Sequence, residues 1–445
     1  MESRSSGAGF GGWSVLVIGS DELPDATQRA LEAAAARVTR LTHPTDAELR
    51  SSLTEQIDSV VVISRDDGIA LRLALVVENI RPGVPLIVTV HSRIVADQLR
   101  GAVLNIRVTS IAEIVAPTLA APCLDAGLLT VTRRPEGIFG VQADEGHPRL
   151  VDIETPGAHR GRLLANLGSL IRPFEPTARI LTTGLFGFLL ILVVETAAAA
   201  LVLDLSPVDA FYAVTKVMVT VGPNPAIDAG PGWFKVFSSV AMLAALGLTA
   251  VFTAGLVNRL LDRRLTALVG SRVVPRKDHV VVVGLGQVGL RLALLLRDLG
   301  VPVLAVESNP NRYNVARAKN YGLPVVIGQG ASHFLLKRLS LERAQALAAV
   351  TSREVENISI AVAALGMQDD LRTILRAGRG EVINETRALF SIGVVQDVHR
   401  IGGTLLAAAA LGSDAAEAFL HQQTVYLITP DGRIEPFARP DAPIL

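Results

Sequence analysis

Cysteine and net charge are almost absent from this chain. Cys123 is the single cysteine among 445 residues, which excludes an intramolecular disulfide framework and is typical of proteins whose soluble parts stay in reducing cytosol. Lysine plus arginine and aspartate plus glutamate number 42 each, and this zero formal charge gives no indication of nucleic-acid binding. Residues 1–12 lack a basic start followed by an apolar run, so we expect no cleavable signal peptide.

Recognisable metal-binding and catalytic spacings are also lacking. The eight histidines and the carboxylates form neither an HExxH motif nor an EF-hand loop, so we predict no metal site. The C-terminal part contains no Tyr-x-x-x-Lys pair. His333 and His399 have no obvious acid partner, and we assign both to surface or helix-cap positions. We therefore predict no catalytic residues.

Charge is scarce in two long apolar runs, 180–203 and 236–257, although 19% of the whole chain is charged. Glu195 is the only charged residue in the first run, and the second has none. Each run is long enough to cross a bilayer, since about 20 residues at about 1.5 Å each cover about 30 Å. We therefore predict two membrane-spanning helices in contact with the lipid bilayer.

The residues around the two runs predict their orientation. Basic residues are frequent on the outer flanks, whereas only Lys216 and Lys235 lie between the runs. By the positive-inside tendency, both flanks and both termini are cytoplasmic, as in a multi-pass protein of the cell membrane. The connecting segment contains the candidate filter residues Thr220, Val221, Gly222, Pro223 and Asn224. A re-entrant segment with Thr-Val-Gly between two spans is typical of a tetrameric cation-channel pore.

A glycine-rich turn is the clearest signal in the soluble parts. The apolar run 279–283 leads into Gly284-x-Gly286-x-x-Gly289, a helix-like stretch follows, and a second strand ends at Glu307. Such a turn brings backbone N–H groups at a helix start to a diphosphate, and the acid at the second strand end accepts a hydrogen bond from a ribose hydroxyl. An acid there disfavours a 2′-phosphate, so we predict NAD(H) or an adenine nucleotide such as ATP or ADP. A turn that keeps its glycines only for packing is the alternative.

Strands alternate with helices through the C-terminal part. Apolar strands are predicted at 303–306, 323–327, 346–350, 371–375 and 393–398, with helical stretches between them. This alternation favours an α/β fold with a Rossmann-like, doubly wound parallel sheet.

The N-terminal part looks like a shortened copy of the same domain, with strands predicted at 14–18, 38–41, 59–63 and 86–90. The stretch from Gly19 to Ser64 is shorter than its counterpart after Gly284 by about one strand–helix unit. We assign the missing unit to the region that would carry the ribose-binding acid. The turn itself has Asp21 and Glu22 where phosphates would lie, so we predict a structural copy that pairs with the other domain.

These two Rossmann-like units and the two-span pore together resemble the regulator-of-potassium-conductance (RCK) channel family, whose domain is also called TrkA-N or KTN. The likeness covers roughly residues 13–123 and 179–412. It implies a homotetramer whose cytoplasmic RCK domains gate a pore for a monovalent cation, with potassium as the first candidate. The motif and the resemblance together give the candidate nucleotide-binding residues Gly284, Leu285, Gly286, Gln287, Val288, Gly289, Glu307, Ser308, Gly328, Gln329, Gly330 and Asn357.

Three features depart from the family pattern. The usual Thr-Val-Gly-Tyr-Gly filter becomes Thr-Val-Gly-Pro-Asn, and Pro223 fixes φ and removes an N–H, which leaves ion selectivity open. Lys216 lies in the presumed pore helix, where a charge is costly; Glu195 is an available partner, and extension of the lysine to the outer surface is the alternative. One RCK-like unit precedes the spans, whereas tandem units more often both follow them.

We therefore predict six segments: a degenerate RCK-like domain (12–123), a linker (124–178), a two-helix pore domain (179–258), a second linker (259–277), an RCK nucleotide-binding domain (278–412) and a tail with a hairpin (413–445). The predicted function is a nucleotide-regulated, potassium-channel-like cation channel or transport protein. The alternatives are a non-conducting membrane-bound nucleotide sensor and a membrane-anchored NAD-dependent oxidoreductase.

Overall fold

The computed structural model describes six stretches of the chain, which fall into two compact units. The described residues are 12–144, 147–153, 176–218, 225–261, 278–378 and 392–437. Met1–Arg160 together with Pro275–Leu445 form one unit, and Gly161–Val274 form the other. We call them the two-copy unit and the two-span unit and describe each by itself. The predicted filter, 220–224, lies outside the described residues.

The N-terminal copy in the two-copy unit is a five-stranded parallel sheet with strand order β2-β1-β3-β4-β5. Its strands are β1 (Ser14–Ile18), β2 (Arg37–Leu41), β3 (Ser59–Ile63), β4 (Leu86–Thr89) and β5 (Ile106–Thr109). Its helices are α1 (Glu22–Ala33), α2 (Asp46–Ser52), α3 (Asp67–Ile80), α4 (Arg93–Ala102) and α5 (Ile111–Leu124). The edge strand β5 was not predicted because its residues are only half-buried and it is not a continuous apolar run.

A second, smaller sheet follows α5. It is an antiparallel meander of β6 (Leu128–Arg134), β7 (Gly137–Asp144) and β8 (His147–Asp152). The sequence interpretation assigned this part of the chain to a linker. The structure shows instead a folded layer, whose inner side chains include the fully buried Val141.

The described residues of the two-span unit form four helices. They are α6 (Pro176–Val202), α7 (Pro207–Met218), the short α8 (Pro225–Asp228) and α9 (Gly232–Leu261). Thr183–Val202 in α6 and Gly232–Ala254 in α9 are long and apolar enough to cross a membrane. A Cβ on Gly184 would lie 3.1 Å from the backbone N of Phe252, so α6 and α9 approach closely at that level. Glu195 hydrogen-bonds to Ser238 of α9 and makes no ion pair with Lys216.

The C-terminal copy is a six-stranded parallel sheet with strand order β11-β10-β9-β12-β13-β14. Its strands are β9 (His279–Val283), β10 (Val303–Glu307), β11 (Val325–Ile327), β12 (Ala344–Ala349), β13 (Arg372–Ala377) and β14 (Val394–Asp397). Its helices are α10 (Gln287–Asp298), α11 (Tyr313–Asn320), α12 (His333–Arg338), α13 (Glu354–Leu365) and α14 (Val398–Ala410), with a 3-10 turn at Leu341–Arg343. The predicted fold class, parallel Rossmann-like sheets plus apolar spans, is confirmed.

The chain then forms a last meander, β15 (Glu417–His421), β16 (Thr424–Ile428) and β17 (Ile434–Pro436). The predicted hairpin corresponds to β16 and β17, and β15 adds a third strand. This sheet packs on the meander after α5, with Phe419 of β15 and Val141 of β7 in one buried cluster. Thr132 Oγ1 donates a 2.8 Å hydrogen bond to Glu417 Oε1 across the contact. The predicted linker and tail therefore fold against each other.

The central strands are nearly continuous apolar runs because both faces of a parallel sheet are covered by helices. Residues 15–18 of β1 and 280–283 of β9 are all buried. This is why short unbroken apolar runs predicted these strands correctly.

The register shows which unit the N-terminal copy lacks. Ile18 of β1 pairs with Leu41 as Val283 of β9 pairs with Val306, so β2 corresponds to β10. Among the described residues, the N-terminal sheet has no counterpart of β11. The prediction that one strand–helix unit is missing is right. Its assignment to the acid-bearing region was wrong, because the strand of that region, β2, is present. Thr42, the residue after β2, has the position that Glu307 has at the end of β10.

The two copies exchange their last helices. Helix α5 packs on α10, and α14 packs on α1. Ser59 Oγ donates to the Ala410 carbonyl oxygen at 2.7 Å, and Gln345 Nε2 donates to the Leu124 carbonyl oxygen at 3.0 Å. Each copy thus completes the core of the other, which is the pairing that the sequence predicted for a structural copy.

Candidate functional site

The carboxyl ends of β10, β9 and β12 lie side by side at one edge of the C-terminal sheet. Chain order reverses here, because β9 has β10 on one side and β12 on the other. Open parallel sheets bind ligands in the crevice at such a switch point. The predicted glycine turn follows β9 and Glu307 ends β10, so the structure brings the two predicted features together.

The glycine turn uses its three glycines for different reasons. Gly284 has a φ of +99°, and a Cβ there would lie 3.0 Å from the backbone N of Thr351. A Cβ on Gly289 would lie 1.8 Å from the Gly284 carbonyl oxygen, so helix and turn touch at this point. A Cβ on Gly286 would meet nothing within 4 Å. Gly286 therefore borders open space in which a ligand can approach the backbone.

Helix α10 begins at this open space. Gly286 is its N-cap residue, and no side chain caps the helix. Leu285 and Val288 are buried under the turn, whereas Gln287 is exposed. The first N–H groups of a helix have no partner within the helix and lie at its positive end, so the start of α10 is suited to a phosphate.

Glu307 is a firmly held carboxylate at the same edge. It is 2% exposed and accepts hydrogen bonds from the N–H groups of Leu285, at 2.9 Å, and Asn309, at 3.1 Å. Arg312 Nη1 lies 3.1 Å from its Oε2. Burial acts to raise the pKa of Glu307, but these hydrogen bonds and the Arg312 charge outweigh it and lower the pKa below its ordinary value. Glu307 is thus ionised and close to the glycine turn.

Comparison with known proteins identifies the domain that contains this edge. The family model of the TrkA-N domain matches residues 280–394. These residues are similar to the TrkA-N domain family, and we call the segment that they form the TrkA-N domain. Potassium channel protein 1 of Methanocaldococcus jannaschii is 22% identical over 248 residues, which are 54% of this chain and 72% of that protein. The voltage-gated potassium channel Kch of Escherichia coli is 20% identical over 213 residues, 47% of this chain and 51% of that protein, so the match spans about half of Kch.

Solved structures have a similar fold. The GsuK channel matches with a TM-score of 0.50 and 15% identity, covering 92% of this chain and 66% of that chain. A structure of the GsuK channel bound to NAD matches with a TM-score of 0.48 and 14% identity, covering 89% and 63%. The family-model match and the two named potassium channels confirm the predicted resemblance to TrkA-N proteins of the potassium-channel class. The likeness to the GsuK channel structure concerns the fold alone.

Two residues near the TrkA-N glycine turn were not identified from the sequence. Arg312 pairs with Glu307, and Asn314 is 6% exposed and donates from Nδ2 to the Leu285 carbonyl oxygen at 3.1 Å. The Leu285 peptide is therefore held at its N–H by Glu307 and at its oxygen by Asn314. The polar run Asn309-Pro-Asn-Arg312 is a signal that could have indicated Arg312. Asn314, inside a helix, has no comparable signal.

Gly328, Gln329 and Gly330 follow β11 at the same edge of the TrkA-N sheet. A Cβ on Gly330 would lie 2.3 Å from Val283 Cγ1, and one on Gly328 would lie 2.9 Å from Leu335 Cδ2. Gly330 is thus required for packing beside β9, whereas at Gly328 the end of the Leu335 side chain of α12 can move aside. Gln329 is exposed.

Asn357 is a buried residue that stabilises the backbone near this edge through hydrogen bonds. It is 1% exposed, accepts from the Thr351 N–H at 2.9 Å, and donates to the carbonyl oxygens of Thr351 and Arg376. Its amide is therefore engaged with the backbone that follows β12 and with β13. Ser308 is exposed and donates from Oγ to Glu307 Oε1 at 3.2 Å.

The corresponding turn of the N-terminal copy is occupied by its own carboxylates. Asp21 Oδ2 lies 2.8 Å from Arg65 Nε, and Glu22 Oε2 lies 3.0 Å from Nδ1 of His399 in α14. The side chain of His399 is only 12% exposed. The prediction that His399 has no acid partner was wrong, because that partner comes from the other copy.

Positive charge surrounds this filled turn. Burial lowers the pKa of Arg376, the Arg65 charge lowers it further, and Glu22 opposes both. Burial also lowers the pKa of His399. The charge of Glu22 acts to raise this pKa, and the charges of Arg376 and Arg65 lower it further. The carboxylates of Asp21 and Glu22 therefore neutralise cationic groups from both copies, where the TrkA-N turn has open space.

The part of the chain that the structure describes contains no cluster of three or more histidine, cysteine, aspartate or glutamate side chains that could hold a metal ion.

Proposed function

We propose that this protein is a potassium channel of the cell membrane whose conduction is regulated by a nucleotide bound at the TrkA-N domain. The observation that carries the proposal is the open backbone at Gly286 beside the ionised Glu307. The first suits a phosphate group, and the second suits a ribose hydroxyl. The similarity to two named potassium channels and the two apolar helices support the membrane part.

The proposed ligand is NAD(H) or an adenine nucleotide such as ATP or ADP. Its diphosphate lies at the start of α10, and its ribose lies against Glu307. Because Glu307 is buried and ionised, a 2′-phosphate would be repelled, so the ribose is unphosphorylated at that position.

The proposed ion path is formed by residues 220–224 in a homotetramer, with both termini in the cytoplasm. Residues 259–277 join the second span to β9, so a displacement of the TrkA-N domain reaches that span along the chain itself. A nucleotide can shift the open–closed equilibrium only if it binds one state more tightly than the other. Regulation therefore requires a TrkA-N site whose affinity differs between the two states.

The test is ion flux in liposomes containing the purified full-length protein. Potassium, sodium and chloride flux are measured with and without NAD, NADH, ATP and ADP. We expect potassium flux that at least one of these nucleotides changes. The absence of any ion flux would contradict the channel proposal, whatever nucleotide binding is measured.

The matched variant is Gly286→Val. The open space at Gly286 has room for a valine side chain. That side chain would block the approach of a phosphate to the backbone. We expect unchanged flux without nucleotide and a loss of the nucleotide response. A nucleotide response that survives in Gly286→Val would place the regulatory site elsewhere.

A non-conducting nucleotide sensor is the second candidate, and the observation that favours it is the replacement of two filter residues by Pro223 and Asn224. Nucleotide binding without flux would support it. We do not propose an enzyme, because the curated relatives compared above are named as channels. Substrate-dependent reduction of NAD by the purified protein would contradict this choice.

A further inference from the structure

A buried carboxyl group joins the two membrane-spanning helices. Glu195 of α6 is 0% exposed, and Ser238 of α9, 2% exposed, donates a hydrogen bond from Oγ to Glu195 Oε1. The second carboxyl oxygen, Oε2, has no hydrogen-bond partner among the described residues. A carboxyl group is expensive at membrane depth, and an apolar side chain of the same size would fill this place at a lower cost. Its presence therefore points to a role beyond packing.

The hydrogen bond lies where the short helix α7 packs against the spans. Glu195 is one helical turn from Ala199, and Ser238 is one turn from Phe234. Ala199 and Phe234 form a single buried cluster with two α7 residues, Ala210 and Val214. Helix α7 ends at Met218, two residues before Thr220, the first of the proposed filter residues. The pair therefore sets the spacing of the two spans at the level that supports α7.

The spans have a separate contact that holds them together. A Cβ on Gly184 would lie 3.2 Å from the Leu248 carbonyl oxygen, and one on Gly187 would lie 3.0 Å from the Leu248 side chain. This glycine contact lies two to three helical turns from Glu195 along α6. Because it already pairs the helices closely, the Glu195–Ser238 bond is not needed for their association.

We propose that Glu195 and Ser238 are positioning residues for ion conduction. Their hydrogen bond keeps α7 in one position relative to both spans, and ion conduction and selectivity depend on that position. This role requires a hydrogen-bond acceptor oxygen at position 195 and does not require a negative charge there. This inference rests on the proposed channel function.

The first measurement is the potassium and sodium flux of liposomes containing full-length variants. The expected result for Ser238→Ala and Glu195→Leu is a potassium-to-sodium flux ratio lower by about threefold to twentyfold, the range that corresponds to a membrane hydrogen bond. Glu195→Gln keeps an acceptor oxygen and should retain the wild-type ratio. Ser239→Ala is the matched control, since Ser239 is exposed and donates to Lys235 of its own helix at 2.8 Å.

Stability separates positioning from a merely structural role. Glu195→Leu removes a buried polar group, so we expect a thermal midpoint equal to or above that of the wild type in spite of the lost selectivity. Selectivity and stability that fall together in Glu195→Leu would overturn the positioning role. A flux ratio in Ser238→Ala equal to that in Ser239→Ala would overturn it as well.

The second measurement does not require conduction. Amide hydrogen exchange of residues 207–218 is followed in the full-length protein in nanodiscs. Exchange of these amides should be faster in Ser238→Ala than in Ser239→Ala. In Glu195→Gln they should exchange at the wild-type rate. Equal exchange in the two serine variants would overturn the inference even if the wild type conducts nothing. Faster exchange with no wild-type flux would contradict the channel proposal, and with it the role in conduction, while the positioning of α7 by the Glu195–Ser238 bond would stand.

Discussion

The three glycines of the TrkA-N turn differ at the level of single residues. Gly284 has a left-handed backbone, Gly289 is in direct contact with the Gly284 carbonyl oxygen, and Gly286 faces open space. The sequence motif does not distinguish the three glycines, but among them only Gly286 has space for a Cβ without a close contact. The effect of a substitution on folding therefore separates the glycine that serves the ligand from those that serve the fold.

We predict that Gly289→Ala destabilises the protein, whereas Gly286→Ala leaves its stability almost unchanged. A methyl group at 289 would lie 1.8 Å from a backbone oxygen that cannot move away cheaply, and overpacking of this kind costs about 1–3 kcal/mol or more. At 286 the methyl group meets nothing within 4 Å. Thermal unfolding of both variants in detergent provides the measurement. Equal midpoints for the two variants would contradict the assignment of Gly289 to packing.

At the scale of elements, the start of α14 is tied to the turn before α1 by ionisable groups. His399 faces Glu22 and Asp21 from that turn, Arg65 after β3 and Arg376 of β13. Burial lowers the pKa of His399, so the folded protein resists its protonation. The contact between these two elements should therefore depend on pH.

We predict that stability decreases as pH falls below about 6.5, the ordinary histidine pKa. The unfolded chain takes up a proton on His399 there, whereas the folded protein does not until its own lower pKa is reached, so acid favours unfolding. One such group contributes at most about 1.4 kcal/mol per pH unit. The free energy of unfolding of the wild type and His399→Gln is compared between pH 7.5 and 5.5, with the exposed His333→Gln as control. A His399→Gln slope equal to that of the control would contradict this role.

The two small sheets are a second contact between distant elements. We predict that Phe419→Ala costs about 3–5 kcal/mol, the usual range for a buried phenylalanine, because Phe419 is 0% exposed between the sheets. Phe334→Ala is the control, since Phe334 is 71% exposed. Chemical unfolding measures both changes, and amide exchange in 128–152 and 417–436 locates them. Similar costs for the two variants would indicate that the sheets do not form one packed layer.

At the scale of the whole two-copy unit, the copies are related by exchanged helices but are not equivalent. The C-terminal turn is open at Gly286, and the N-terminal turn is filled by Asp21 and Glu22, which pair with Arg65 and His399. Of these two described turns, the one at Gly286 is available to a phosphate and the one at Asp21 and Glu22 is not.

We predict that the protein binds one nucleotide per chain. The reason is that carboxylates already neutralise the cations at the N-terminal turn, and they would repel a phosphate. Titration calorimetry of the full-length protein with NAD and with ADP measures the stoichiometry, and Gly286→Val should abolish the single site. Two sites per chain, or one site that survives this substitution, would contradict the prediction.

Much of the fold could be predicted from the sequence because its signals are local. Unbroken apolar runs predicted β1, β3 and β9, and the glycine spacing predicted the turn before α10. The half-buried β5 and the meander 128–152 gave no apolar run and were missed. Glu307 was predicted beside the turn because the motif places it there, whereas Arg312 and Asn314 were found only in the structure.

The sequence by itself determined the local properties of this protein: two helices long enough to cross a membrane, alternating strands and helices, and a glycine turn with an acid on the next strand. These follow from periodicity and from backbone freedom, which depend on neighbouring residues. Only the tertiary structure decided the pairs Glu22–His399, Thr132–Glu417 and Glu195–Ser238. Their partners are far apart in the chain, so packing of distant elements, rather than any local pattern, brings each polar group to its partner.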